Sequence, residues 1–251
     1  MIEIQTDGPN ERVAVLTFSS GRVNAIDVEF ANELTEAIGE LRGSGAGPLV
    51  VTGAGRAFSA GVDLNRVVEG GSAYTDRLIP ALSDMIQAVF GYPGPTVAAV
   101  NGAAIAGGCV LACACDRRLI SPSVQIGASE VRVGVPFPVA ALEVMRHVCA
   151  DRTEEVLLGG QIYRDDVALA LGLVHSVVAE NLIESAVAEA SGLAEIPAAA
   201  YRQTKAQLRA PALARIRESS DVDDDVRRLW GAEETRGRIA AQLERLRRRD
   251  G

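Results

Sequence analysis

Gly53-Ala54-Gly55-Arg56-Ala57-Phe58-Ser59-Ala60-Gly61-Val62-Asp63-Leu64 and Asn101-Gly102-Ala103-Ala104-Ile105-Ala106-Gly107-Gly108 are two glycine-rich turns of one chain. Each follows a short apolar run, Leu49-Val50-Val51-Thr52 and Thr96-Val97-Ala98-Ala99-Val100. Runs this short, rich in β-branched residues and bounded by turn residues, predict buried strands rather than helices. Glycines let the chain reverse tightly and present backbone N–H groups to a ligand, and a helix expected from about Gly107 adds its positive dipole end. Two such turns can form the halves of an oxyanion hole, which holds a developing enolate without a metal or cofactor. Nucleotide readings fail on spacing. Phe58 stands where a dinucleotide fingerprint needs its third glycine, and neither turn carries the lysine of a phosphate-binding loop.

Outward from these turns, residues 13–18 read as a strand, and Asp27 caps a helix whose apolar face is Phe30, Leu34, Ala37, Ile38 and Leu41. Residues 65–73 read as a polar, glycine-containing loop, and residues 75–90 as a helix carrying Leu78, Leu82, Met85, Ile86 and Val89. After the second turn, residues 108–115 are expected to be helical, 117–120 extended, 124–126 a short strand and 139–148 helical. Asp165 is expected to cap a short helix ended by Gly172, with a strand-like run over 173–178. Strands alternating with helices imply crossover connections and a largely parallel sheet. Beyond Asn181 the pattern is helices only. The expected division is therefore an α/β core, residues 1–180, and a helical C-terminal region, residues 181–251, that packs on the core or on a neighbouring subunit.

A chain of 251 residues, 48% hydrophobic, can bury a sizeable core. Its net charge of −8 argues against nucleic acid as a partner. The start, Met1-Ile2-Glu3-Ile4, has neither the basic residues nor the apolar core of a signal peptide, and no apolar run is long enough for a membrane span. The expectation is a cytoplasmic protein that does not enter the membrane. Cys109, Cys113, Cys115 and Cys149 lack the paired spacing of a zinc site and read as buried free thiols; His147 and His175 read as structural, so no metal is expected. Lys205 is the only lysine.

Residues 58–64 and the run from Ala98-Ala99-Val100-Asn101-Gly102 to Ala106-Gly107-Gly108-Cys109 resemble the paired motifs of the crotonase (enoyl-CoA hydratase/isomerase) superfamily. Arg22-Val23-Asn24-Ala25-Ile26 and Ile126-Gly127-Ala128-Ser129-Glu130 add to the resemblance. It implies an α/β fold, the crotonase (ClpP-like) spiral of β-β-α units, and a helical C-terminal region that mediates a homotrimer or a dimer of trimers. It also implies an acyl-CoA thioester substrate whose oxygen is bound by the backbone N–H groups of Val62 and Gly107. Preorganised donors at that oxygen stabilise negative charge more in the transition state than in the ground state.

Hydratases of the superfamily carry two catalytic glutamates, and the matching positions here are Val110 and Glu130. A valine cannot activate water. A single glutamate can still take a proton from the α-carbon of a 3-enoyl thioester and return it at the γ-carbon. Partial desolvation, expected from Val110 and Phe137, brings such a base toward working pH. The sequences around Ala106 and Val23 are more similar to Δ3,Δ2-enoyl-CoA isomerases than to hydratases. The other reading of Glu130 is a structural charge that caps or pairs with Arg132.

The resemblance places coenzyme A, as part of the substrate and not a separate cofactor, along Arg22, Asn24, Ala25, Ile26, Ala60, Asp63 and Leu64, with Arg22, Arg56 and Arg66 as candidates for its phosphates. Asp63 also has a local reading, fixing its turn through side-chain to backbone hydrogen bonds. It further places the acyl pocket along residues 65–90, among Arg66, Val67, Val68, Tyr74 and Leu78. The lysine-bearing closing pattern of the C-terminus is replaced by Leu229-Trp230-Gly231-Ala232-Glu233-Glu234-Thr235-Arg236. The apolar ladder Val226, Leu229, Trp230, Ile239, Leu243 and Leu246 suits burial against a neighbour or closure over its own domain. Three functions stay open: an isomerase using Glu130, a hydratase or other lyase with a second group from elsewhere, and an acyl-CoA-binding protein without catalysis.

Overall fold

A computed structural model describes residues 1–8, 12–219 and 221–250, with the side chains of residues 246, 247, 249 and 250 left out. Its frame is a six-stranded sheet in the order β1 (Ile2–Asp7), β2 (Val13–Phe18), β3 (Leu49–Gly53), β5 (Thr96–Val100), β7 (Arg117–Ile120), β9 (Ser176–Val177). Strand β1 pairs antiparallel with β2, and every later neighbour is parallel. Period-two alternation splits the strands between two cores. Leu16, Phe18, Leu49, Val51, Ala98 and Val100 face one core, with helices α1 (Val28–Gly43) and α2 (Leu64–Phe90), while Val13, Val15, Val50, Val97 and Ala99 face α7 (Leu182–Ala194). Asp27 caps α1 by accepting from the Phe30 amide at 2.7 Å, as the sequence predicts.

A second, three-stranded parallel sheet has the order β4 (Ala57–Ser59), β6 (Ala103–Ile105), β8 (Ile126–Gly127), and its first two strands lie inside the stretches read as turns. Strands of two or three residues carry no period, so neither β4 nor β6 is visible before the fold brings them together. The expected strand over 124–126 begins only at Ile126, and that over 173–178 shrinks to Ser176–Val177.

Two other expectations are corrected. Most of residues 65–73 is helix: α2 starts at Leu64, where Asp63 accepts from the Asn65 and Arg66 amides, and is kinked at Gly71, whose φ of 58° departs from the helix. Asp165 does not cap α6 (Asp165–Ala170); its carboxylate accepts from the Ser123 amide at 2.9 Å on another loop.

Helices α3 (Gly107–Cys113), α4 (Val139–Cys149) and α5 (Thr153–Gly159) complete the core, and α8 (Ala198–Glu218), α9 (Val222–Gly231) and α10 (Glu233–Asp250) follow α7. Val226, Trp230 and Ile239 are buried and Leu243 is packed against the main core, so α9 and α10 close over α2 of their own chain. Leu229 is exposed, and the side chain of Leu246 lies outside the described residues.

Candidate active site

Asparagines tie the two glycine turns into one unit. The Asn101 amide donates to Gly53 O at 2.7 Å and Gly55 O at 3.0 Å. The Asn24 amide donates to Ala54 O at 2.9 Å and Ala57 O at 2.8 Å. Asn24 is buried, so its side chain braces the loop from inside rather than facing solvent.

Ile26 pairs with Val62 in a parallel bridge: its N–H donates to Gly61 O, and its carbonyl accepts from the Asp63 amide. With its neighbours' groups turned toward Ile26, the intervening Val62 N–H is turned to the other side. Gly107 lies on that side. It is the first residue of α3, so its N–H has no acceptor within the helix. A side-chain carbon added to Gly107 would lie 3.8 Å from the Val62 nitrogen. Gly61, at φ 83°, holds the turns this close; a side-chain carbon there would sit 2.8 Å from Ile105 O and 3.1 Å from Gly107 N. Ala106 adopts φ 52° and ψ −123°, a conformation costly for any residue with a side chain, and that turn starts α3 at Gly107.

Val62 and Gly107 open onto a cavity of about 230 Å³ that Glu130 also lines. Its walls are mostly apolar: Leu64, Leu82, Met85, Ile86, Val110 and Trp230 are among them, and Glu130 is the one acid among the described residues that line it. From α2 the wall takes Leu64 at its start and Leu82, Met85 and Ile86 in its second half; the last three fall in the expected range 65–90, but none of Arg66, Val67, Val68, Tyr74 and Leu78 lines it. Phe137 packs against the core without lining the cavity; Val133 and Val135 take the place expected for it. Trp230 and Gln242 reach the cavity from α9 and α10. Periodicity shows Trp230 only as an apolar position, and only the fold-back of the C-terminal helices brings it here. Its indole donates to Pro136 O at 2.8 Å, which fixes the ring.

Glu130 opens a 3₁₀ turn, Glu130–Val133, and is 7% exposed. Its Oε2 has no hydrogen-bond partner among the described residues. Burial raises its pKa to about 8, opposed only by a hydrogen bond from its own backbone amide. Arg132 does not pair with it, since that guanidinium donates to Gly160 O and Gly159 O. An apolar pocket holding one unpaired carboxyl beside two convergent amides is suited to proton transfer next to a carbonyl whose oxygen gains charge.

Of the segments expected to hold coenzyme A, Arg22 and Ala60 are exposed, Ala25, Asp63 and Leu64 half-buried, and Ile26 is in the core. Arg56 is exposed. Arg66 is already engaged, pairing with both Asp27 and Glu29. The four cysteines are free and buried, as expected. His147 and His175 lie apart from this cavity. Among the described residues no group of side chains is suited to a metal, and no helix is long and apolar enough to cross a membrane.

Comparison with known proteins agrees with this architecture. Residues 8–246 match the family model described as enoyl-CoA hydratase/isomerase. A Thermus thermophilus protein carrying an enoyl-CoA hydratase name is 34% identical over 225 residues, 82% of this chain and 89% of that one. Human mitochondrial enoyl-CoA delta isomerase 1 is 29% identical over 217 residues, 84% of this chain and 72% of that one. The crystal structure of human mitochondrial Δ3-Δ2-enoyl-CoA isomerase superposes with a TM-score of 0.92 at 27% identity, covering 100% of this chain and 99% of that one. The paired glycine turns, the two sheets and the helical C-terminal region are those of the crotonase fold, and the chain belongs to the enoyl-CoA hydratase/isomerase family.

Proposed function

We propose that this protein is an enoyl-CoA isomerase that shifts a double bond from the 3- to the 2-position of an acyl-CoA thioester, with Glu130 as the single proton shuttle. The observation that carries this reading is the solitary carboxyl: among the described residues Glu130 is the one acid lining a cavity that Val110 of α3 also lines. In its ionised form Glu130 takes a proton from the α-carbon, and the electron pair moves toward the thioester oxygen. The Val62 and Gly107 amides hold that oxygen, each donor worth about 3 kcal/mol in the transition state. The same carboxyl then returns the proton at the γ-carbon, leaving the conjugated product without adding water. Apolar walls slow capture of the dienolate by solvent.

The coenzyme A arm runs along residues 22–26 and 60–64, with Arg22 and Arg56 toward its phosphates, and the scheme draws on no separate cofactor. The assembly we infer is a homotrimer or a dimer of trimers, which light scattering on the purified protein distinguishes. A hydratase reading draws support from the relative's name at 34% identity. Turnover of 3-enoyl-CoA and 2-enoyl-CoA in isotopically labelled water separates the two readings. The isomerase forms 2-enoyl-CoA with no solvent oxygen in it, whereas dominant formation of a labelled 3-hydroxyacyl product would reject the proposal. Tight acyl-CoA binding with no turnover of either isomer would reject both.

A further inference from the structure

We infer that a second cavity, at the opposite end of the parallel strands from Glu130, binds an organic oxyanion: a phosphate joined to an apolar or aromatic group. The cavity is about 460 Å³ and shares no lining residue with the acyl cavity. Asp116, just before β7, lies in its wall with Lys205 and Arg209 from α8. Lys205 Nζ is 2.7 Å from Asp116 Oδ2 and Arg209 Nη2 is 2.6 Å from Oδ1, so one negative charge answers two positive ones. The buried Arg118 guanidinium adds a third positive charge, and its hydrogen bonds go to the carbonyls of Leu173, Cys115 and Gly172 and to the His175 ring rather than to a carboxylate. Arg117 and Glu189 cancel at the rim.

The wall therefore carries two positive charges in excess, inside a concave surface that focuses their field on whatever enters. Both histidines of the chain line its exposed part, and partial desolvation together with Arg209 and Arg118 for His147, and with Arg118 for His175, lowers their pKa values, so they contribute little charge at neutral pH. A bare phosphate would leave most of this volume empty. The remaining wall includes Val148, Ala200, Ile196 and Leu208, the last three exposed, which suits an apolar group attached to the anion.

Because the protein has no histidine elsewhere, imidazole NMR titration reports on this cavity alone. In phenyl phosphate, compared with chloride at matched ionic strength, the histidine pKa values are expected to rise by about 1 unit, the effect of a nearby opposite charge. Inorganic phosphate is expected to need at least about tenfold more for the same rise, corresponding to about 1.4 kcal/mol. Thr204→Glu, at the exposed rim, places a carboxylate in the cavity and is expected to weaken the phenyl phosphate response at least tenfold while leaving enoyl-CoA turnover unchanged. Identical titrations in chloride and phenyl phosphate, equal potency of the two phosphates, or a response indifferent to Thr204→Glu would each overturn the assignment.

Discussion

At the scale of single residues, Glu130 carries opposed demands. Its burial keeps the proton on, yet abstraction needs the ionised form, so only a minority of molecules is ready at neutral pH. With the pKa raised to about 8, kcat/KM for 3-enoyl-CoA is expected to climb about tenfold per pH unit on the acid side and level off above about 8. A profile already flat at pH 6 would show that another base is at work. Glu130→Gln keeps the shape and loses the base, so turnover is expected to fall by about 10²–10⁴ while acyl-CoA affinity, measured by calorimetry, holds. Gly107 offers a test of the oxyanion donors. Proline suits the first position of a helix but has no N–H, so Gly107→Pro is expected to lower kcat by about 10²–10³, with the fold checked by circular dichroism.

At the scale of elements, the site depends on the C-terminal helices lying over α2. Trp230 is almost wholly buried and bonded to Pro136 O, and it walls the acyl cavity. Trp230→Ala is expected to destabilise the protein by about 3–5 kcal/mol in denaturant titrations and to shift preference toward longer acyl chains in kcat/KM comparisons. The link between α8 and the sheet is of another kind. Asp116 accepts from the Thr96 amide, the Tyr201 hydroxyl, Lys205 and Arg209, so Asp116→Ala would strand two buried cations. A loss of about 3–5 kcal/mol is expected, much more than for an exposed pair such as Arg152 with Glu155.

At the scale of the molecule, the perturbed groups shape stability against pH. Glu130, raised from 4.5 to about 8, contributes stability that is complete below about pH 4.5 and lost as pH rises toward 8. His175, lowered from 6.5 to about 4, contributes stability present above 6.5 and lost as pH falls toward 4. The two oppose each other between about pH 4.5 and 6.5 and leave Glu130 to dominate from there to about 8. Thermal denaturation is thus expected to show Tm declining from about pH 6.5 to 8 in the wild type, and much less in Glu130→Gln. An equal decline in both would place the responsible group elsewhere.

Much of this protein was legible before folding. The apolar runs at 49–52 and 96–100, the Asp27 cap and the amphipathic stripe over 75–90 are local patterns, set by side-chain period and backbone freedom, and they survive unchanged. The glycines of the two turns were legible for the same reason, since Gly61 needs both a positive φ and the space of a missing side chain. The pairing of β4 with β6, the inward turn of Asn24, the closure of Trp230 and Gln242 over the cavity and the unpaired state of Glu130 came from the tertiary structure alone. Each depends on atoms far apart in the chain arriving at one place. Desolvation, which makes Glu130 a base poised near neutral pH, is a property of that enclosure and not of the glutamate.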